Sequence, residues 1–325
     1  MPDSRLNDAE HRLQHSFRKS RFFNGLLVAG VVLATYLPIR ALPDRRPLPD
    51  RAVALRFEPV DLPRAASPLR VAGAWEMTAD DRRFGGLSAL AVDGGRFLAA
   101  SDLGAVVRFD PPSVARPRAW LSDLADGPGP PGRKTSRDAE SLAPDPHGRG
   151  WWIGYEQRHS LWLYEGNFRH ARSAVALGRP DWWRNRGIEG LVVHGDALLA
   201  LAENGREAIS VDGHDVRSVA LAAGADIADA ALAPDGSIWI LLRSKGLGGI
   251  RQSIAPLSRT HTGYRVGPKW PLPKTALDNY EGMAIVPLER GGWRFWLVTD
   301  DGHRFGARTL LVALDLAPKS KRPAG

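Results

Sequence analysis

Three glutamates recur directly ahead of short apolar runs: Glu140 in "RDAESLAP", Glu189 in "NRGIEGLVV" and Glu281 in "DNYEGMAIV". "FGGLSALAV" puts Ser88 in the same slot, and "DIADAALAP" puts Ala230 there. A second acidic set ends the apolar run after each turn: Asp102 in "AASD", Glu156 in "IGYE", Glu203 in "ALAE" and Asp300 in "LVTDD". The fourth segment instead reads "ILLRS". If one surface collects both sets, its carboxylates stay close only when some are protonated, some are paired with cations, or a metal ion is held. Oxygen ligands suit a hard cation, Ca2+ before Mg2+. Arg137 and Arg186 precede the first set, and Arg158, Arg206 and Arg243 follow the second. A metal and arginines together can hold a phosphate ester while a carboxylate orients water. Glu140, Glu189 and Glu281 are therefore candidate ligands or catalytic bases. Asp102, Glu156, Glu203 and Asp300 join them as candidate ligands, and the five arginines as anion-binding residues. The competing role for each carboxylate is to cap backbone N–H groups of a neighbouring strand.

The elements that must position these residues repeat. Ser88, Glu140, Glu189, Ala230 and Glu281 are separated by 52, 49, 41 and 51 residues, the length of a propeller blade of four short strands. Each unit has an apolar run, a turn and a second run, as in "LSALAV-DGG-RFLAAS", "GLVVH-GD-ALLALA" and "AALA-PDG-SIWILL". Asp93, Asp145 and Asp235 read as turn formers. Third strands follow in "AVVRF", "LWLYE", "AISVD" and "TLLVALDL", and fourth strands in "RAWLSDL", "SAVAL", "VRSVAL" and "GYRVG". The fifth unit ends after three, so "LRVAGAWEMT" upstream is the expected fourth strand, closing the ring and removing open edges. The fold class is thus all-β, a propeller of five blades, with a sixth available only if "AVALRFEPV" opens another unit. In such a ring the first strands line the channel. The antiparallel second strands end at the level where the first begin, which brings the two acidic sets to one mouth.

The formal charge of +8 does not point to nucleic acid. Residues 1–70 hold 12 basic and 7 acidic side chains, the tail "KSKRPAG" adds three basic ones, and 71–317 is neutral. With no cysteine, disulfides, thiolate metal sites and a Cys nucleophile are excluded. Ser88 lacks the nucleophile-elbow context, the histidines show no HExxH, and "GLGG" at 246–249 is not followed by Lys-Ser/Thr. In "DWWRN", Trp182 or Trp183 either stacks on a ligand or packs the blade.

Residues 22–39, "FFNGLLVAGVVLATYLPI", are uncharged and follow Arg18, Lys19 and Arg21. They read as an uncleaved membrane anchor or a cleaved signal segment. The organisation is then a cytoplasmic tail (1–21), the apolar segment (22–39), a Pro/Arg-rich linker (40–51), the propeller (52–317) and a basic tail (318–325). The expected location is the inner membrane with the propeller in the periplasm, or the periplasm itself.

The ordered motifs "GGLSAL", "DAESLAPDP", "NRGIEGLVV", "DIADAALAPDGSIWILLR" and "NYEGMAIV" to "LVTDDGHRFGARTLLVALDL" resemble the phytase-like family, labelled esterase-like activity of phytase, over residues 70–316. The resemblance implies an exported β-propeller. By analogy with calcium-dependent propeller phytases, it also implies hydrolysis of phosphate or carboxylic esters. The chain departs from the family pattern in the fourth unit, where Leu242 and Arg243 replace a glutamate before the arginine and Asp229 lies one position from the acidic slot. A lactonase-like reaction and a non-catalytic envelope scaffold are the rival readings. The expected partner is a small ester or phosphate ester, with possible Ca2+ and no nucleic acid; a protein partner is not legible.

Overall fold

The computed structural model describes residues 47–318 apart from 132, 180–181, 183–185, 247–248, 276–278 and 303–305. The segment 22–39 lies outside the described residues. Among those described, no helix is long and apolar enough to cross a membrane.

The described chain is almost entirely β. It opens with β1 (Arg51–Pro59) and β2 (Arg70–Ala79) and continues in four-stranded antiparallel meanders. The first unit is β3 (Leu87–Asp93), β4 (Arg96–Ser101), β5 (Ala105–Phe109) and β6 (Arg118–Asp123). A one-turn helix, α1 (Lys134–Arg137), precedes the second unit, β7 (Ala139–Pro144), β8 (Trp151–Tyr155), β9 (Ser160–Tyr164) and β10 (Ala171–Ala176). The third is β11 (Ile188–His194), β12 (Ala197–Ala202), β13 (Glu207–Asp212) and β14 (Asp215–Ala222). The fourth is β15 (Asp226–Leu232), β16 (Ile238–Gly246), β17 (Gly249–Arg259) and β18 (Gly263–Val266), with β19 (Trp270–Pro271) pairing β17. The fifth is β20 (Asn279–Pro287), β21 (Trp293–Asp300) and β22 (Leu310–Leu316), completed by β2.

The fourth strand of the last unit therefore comes from "LRVAGAWEMT", which pairs β22 with Arg70 opposite Asp315 and Glu76 opposite Leu310. "AVALRFEPV" does not open another unit. As β1 it pairs β2 on one side and β6 on the other, joining the outer edges of the last and first units. The sequence reading missed β17, whose "GIRQSIAPLSR" has polar residues where alternation would need apolar ones and a mid-strand proline.

Period-two alternation explains why the second strands read as unbroken apolar runs: both faces are buried, one against each neighbouring unit. Leu198 and Ala200 of β12 pack toward the second unit, while Leu199 and Leu201 pack toward the fourth. On β21, Phe295 and Leu297 face the fourth unit, and Trp296 and Val298 face the first. A further core joins the first and second units through Leu98, Val106, Ile153 and Tyr155. The first strands are neighbours in the order β3, β7, β11, β15, β20 and back to β3.

Asp145 behaves as a turn former, accepting from the backbone N–H of His147 and Arg149 and from Trp152 Nε1. Asp235 accepts from the Ser237 amide. Asp93 lies at the end of β3 and pairs with Arg108.

Candidate functional site

Each first strand carries a register irregularity within its first three pairings, and in four of the five the residue left out is the recurrent one. Ser88 is skipped between Leu87 and Ala89, Glu140 between Ala139 and Ser141, Glu189 between Ile188 and Gly190, and Glu281 between Tyr280 and Gly282. A bulge leaves one residue outside the ladder and re-aims its side chain. In the fourth unit the skipped residue is Ala228, between Ile227 and Asp229. That corrects the sequence reading, which used Ala230. Ala230 lies two positions further along β15, and Asp229 falls in the slot of Ser141, Gly190 and Gly282.

Four of the second strands end beside these bulges, and β16 runs past that level to Gly246. The amides of Asp102, Glu156 and Glu203 donate to the carbonyls of Gly86, Asp138 and Gly187, at 2.9, 3.0 and 3.0 Å. Asp300 stands opposite Asn279 and Arg243 opposite Asp226. Arg243 thus takes, in the fourth unit, the place that is acidic in the other four.

Two cations sort the charges. Arg243 Nη2 lies 2.9 Å from Oε1 of Glu203, and its Nη1 pairs with Oε1 of Glu281, which also accepts from Asn279 Nδ2. Lys134, presented by α1, pairs with Asp102 and, at 3.1 Å, with Asp138. Burial opposes the charge of both cations, but the surrounding carboxylates outweigh it and hold both pKa values above their ordinary range.

Between the two flanks sit Glu140, Glu156 and Glu189. Among the described residues no ion pair reaches any of them. Glu189 is only 6% exposed. Burial, and then the charges of Glu281 and Glu156, push its pKa well up. Burial and the charges of Asp138 and Glu189 do the same to half-buried Glu140. Glu156 is pushed up to about 9 by burial and by the neighbouring Asp138 carboxylate. Glu281 rises to about 8 through burial, although Arg243 opposes the shift. Asp300 rises to about 6 through burial and the charge of Asp102. Oxygens of Asp138, Glu140 and Glu156 all lie within 4.8 Å of one another, as do those of Glu156, Glu189 and Glu203. Glu156 belongs to both triads.

Gly187 makes part of this approach possible, since a Cβ there would stand 2.6 Å from Cα of Glu156. Asp229 has a different occupation. It is buried and accepts the amides of Ala230 at 2.7 Å and Met283 at 2.5 Å. It performs the backbone-capping role, as do Asp300 and Asp301, which accept the amides of Gly302 at 2.6 Å and Gly86 at 3.0 Å. Ser88 donates to the Gly86 carbonyl at 3.2 Å.

A comparison with family profiles matches residues 82–303 to the family described as "Phytase-like: Esterase-like activity of phytase". The chain belongs to that family. A search of curated proteins gave no match. Solved structures similar to this phytase-like chain include Myxococcus xanthus glutaminyl cyclase, with 14% identity and a TM-score of 0.48 over 77% of this chain and 97% of that one. The Neurospora crassa Pan2 WD40 domain has 9% identity and a TM-score of 0.38 over 74% and 92%. Kuenenia stuttgartiensis hydrazine synthase has 14% identity and a TM-score of 0.40, and the match spans 66% of this chain but only 56% of that one. Likeness at this level says nothing about chemistry.

The arginines of the phytase-like chain divide. Arg158, Arg186 and Arg206 are exposed. Arg186 lies 3.9 Å from Oε2 of Glu203. Arg243 is an internal counter-ion rather than a rim residue. Arg137 is turned away altogether. It is 2% exposed and donates to the carbonyls of Leu124, Ala125, Asp126 and Gly129. Its expected anion-binding role is corrected to that of a clamp on the 124–129 loop. The sequence reading missed Lys134 and Asp138. The signal was present in "KTSRDAE", where they stand four apart and Asp138 lies two residues before Glu140.

Proposed function

We propose that this phytase-like chain is a five-bladed propeller whose acidic channel mouth binds a hard divalent cation, Ca2+ before Mg2+, and hydrolyses esters, phosphate esters in preference to carboxylic ones. The closed order of first-strand neighbours supports five blades. One observation carries the metal reading: Lys134 and Arg243 neutralise the two flanks, and Glu140, Glu156 and Glu189 between them form no ion pair among the described residues. The donor set fits such an ion. It is all oxygen, and Oε2 of buried Glu281 has no hydrogen-bond partner among the described residues. When bound, the cation would supply positive charge to an ester oxygen. Asp138, Glu140 and Glu156, or Glu156, Glu189 and Glu203, would hold it. Arg158 and Arg186 at the rim would hold the anionic group. A carboxylate not engaged with the cation, with Glu140 the most exposed of the three, would orient water for attack. We place the propeller in the periplasm, anchored by residues 22–39 or released from them, on the strength of that segment's sequence.

A non-catalytic binding propeller is the second reading, favoured by Arg243, which fills one quadrant with a cation of the protein's own. The test is turnover of a panel of phosphate and carboxylic esters with calcium or with EDTA. Calcium-dependent turnover, lost in Glu189→Gln, supports the hydrolase. Calcium binding without turnover of any ester selects the binding propeller.

A further inference from the structure

A cavity of about 630 Å3 opens beside the mouth in the third unit, within the size range of small-molecule sites. Glu203, one of the three glutamates whose oxygens lie within 4.8 Å of one another, is part of its wall. Gly187 and Ala202 continue the wall from the strands beneath, and Val219 and Ala220 form an apolar side on β14. Trp182, partly buried, also lines this space; its ring meets His159 edge-on with centroids 5.5 Å apart. The acidic group on the far wall, Glu207, is already neutralised by Arg179 at 2.8 Å and accepts from Ser218. Arg206 also lines the cavity, is exposed, and has no ion pair among the described residues. The cavity thus runs from the acidic mouth, past an indole and two apolar side chains, to a cationic group with no described counter-charge.

We infer that this cavity receives the alcohol portion of the substrate, and that it selects alcohols with a planar apolar body and a second acidic group. The inference rests on the ester-hydrolase reading of the mouth. With the ester group at the Glu156–Glu189–Glu203 triad, the leaving alcohol extends past Glu203 into the cavity. The indole of Trp182 covers its planar part. The guanidinium of Arg206 receives the distal anion by charge-assisted hydrogen bonds, and bidentate geometry suits a carboxylate or a phosphate equally. Arg186, beside Glu203, stays with the ester end. The two arginines that flank the cavity therefore have separate tasks, one at the reacting group and one in specificity.

Two non-hydrolysable probes separate these tasks: phenylphosphonate and 4-carboxyphenylphosphonate, titrated by calorimetry into the calcium-loaded protein. Wild type binds the carboxylated probe about tenfold more tightly, as one added charge-assisted contact gives. In Arg206→Gln the two probes bind within about twofold of each other. Glu189→Gln weakens both and keeps the preference, and Trp182→Phe, which retains a ring, weakens both less than Trp182→Ala. A distal phosphate in place of the carboxylate tells which anion is preferred. If wild type binds both probes equally, or the preference survives Arg206→Gln, the alcohol subsite is overturned while the metal-dependent ester site stands. If calcium binds but neither probe does, the ester reading and the subsite fall together.

Discussion

Arg243 and Glu203 occupy the same position in consecutive units, each opposite the residue two before the first-strand bulge, and their side chains meet at 2.9 Å. The repeat thereby supplies its own counter-ion. Where four units place an acid, the fourth places a guanidinium that reaches an acid on either side, Glu203 and Glu281. Removing one partner of a buried pair leaves the other charge uncompensated. Arg243→Gln should therefore lose about 3–5 kcal/mol of stability, the usual range for such a break. Added calcium should restore part of it, so the gain in Tm with calcium will be larger in the variant than in wild type. Thermal melts with calcium and with EDTA check both statements.

The metal-free protein should lose stability as pH rises. Glu156 and Glu281 titrate at about 9 and about 8 in the folded chain against a reference of 4.5, and Asp300 at about 6 against 3.8. Between reference and folded values the native state binds more protons than the unfolded state, so the slope of stability against pH is negative. The stabilising protons are fully present below about pH 4 and are lost as pH climbs through 6 to 9. Calcium replaces those protons, so Tm measured from pH 5 to 9 should fall steeply in EDTA and much less with calcium. Calorimetry in buffers of different ionisation enthalpy should register proton release on calcium binding.

Asp229 separates the structural acid from the proposed ligands. Its burial raises its pKa, and the amides of Met283 and Ala230 oppose that shift. Asp229→Ala strands both donors at a cost of about 1–3 kcal/mol for each buried unsatisfied group. Urea unfolding should show that loss, while calcium affinity stays within about twofold of wild type.

The architecture was legible because burial of both strand faces forces recurring apolar runs at blade-length intervals, and because a unit lacking its fourth strand needs one from upstream, which β2 provides. The acidic slots were legible for the same reason. What periodicity could not reveal was the bulge. An inserted residue shifts the count without changing composition, so Ala230 looked equivalent where Ala228 is. Lys134 and Asp138 escaped because they lie in a loop and a single helical turn outside the repeat, where spacing carries no register. Arg137 misled in the opposite sense. Proximity in sequence to Glu140 suggested a shared surface, yet the chain turns between them and buries the guanidinium among loop carbonyls.

The central claim is that the carboxylates between Lys134 and Arg243, which form no ion pair among the described residues, hold a divalent cation. The direct measurement is calorimetric titration of calcium into the metal-free protein, wild type beside Glu189→Gln and Glu156→Gln. The account predicts saturable binding in wild type. It predicts at least about tenfold weaker binding in either variant, since each loses a charged ligand, with circular dichroism unchanged. Because Glu156 belongs to both triads, its substitution should cost at least as much as that of Glu189. No calcium binding by a folded wild type, or equal binding by all three proteins, would contradict the account.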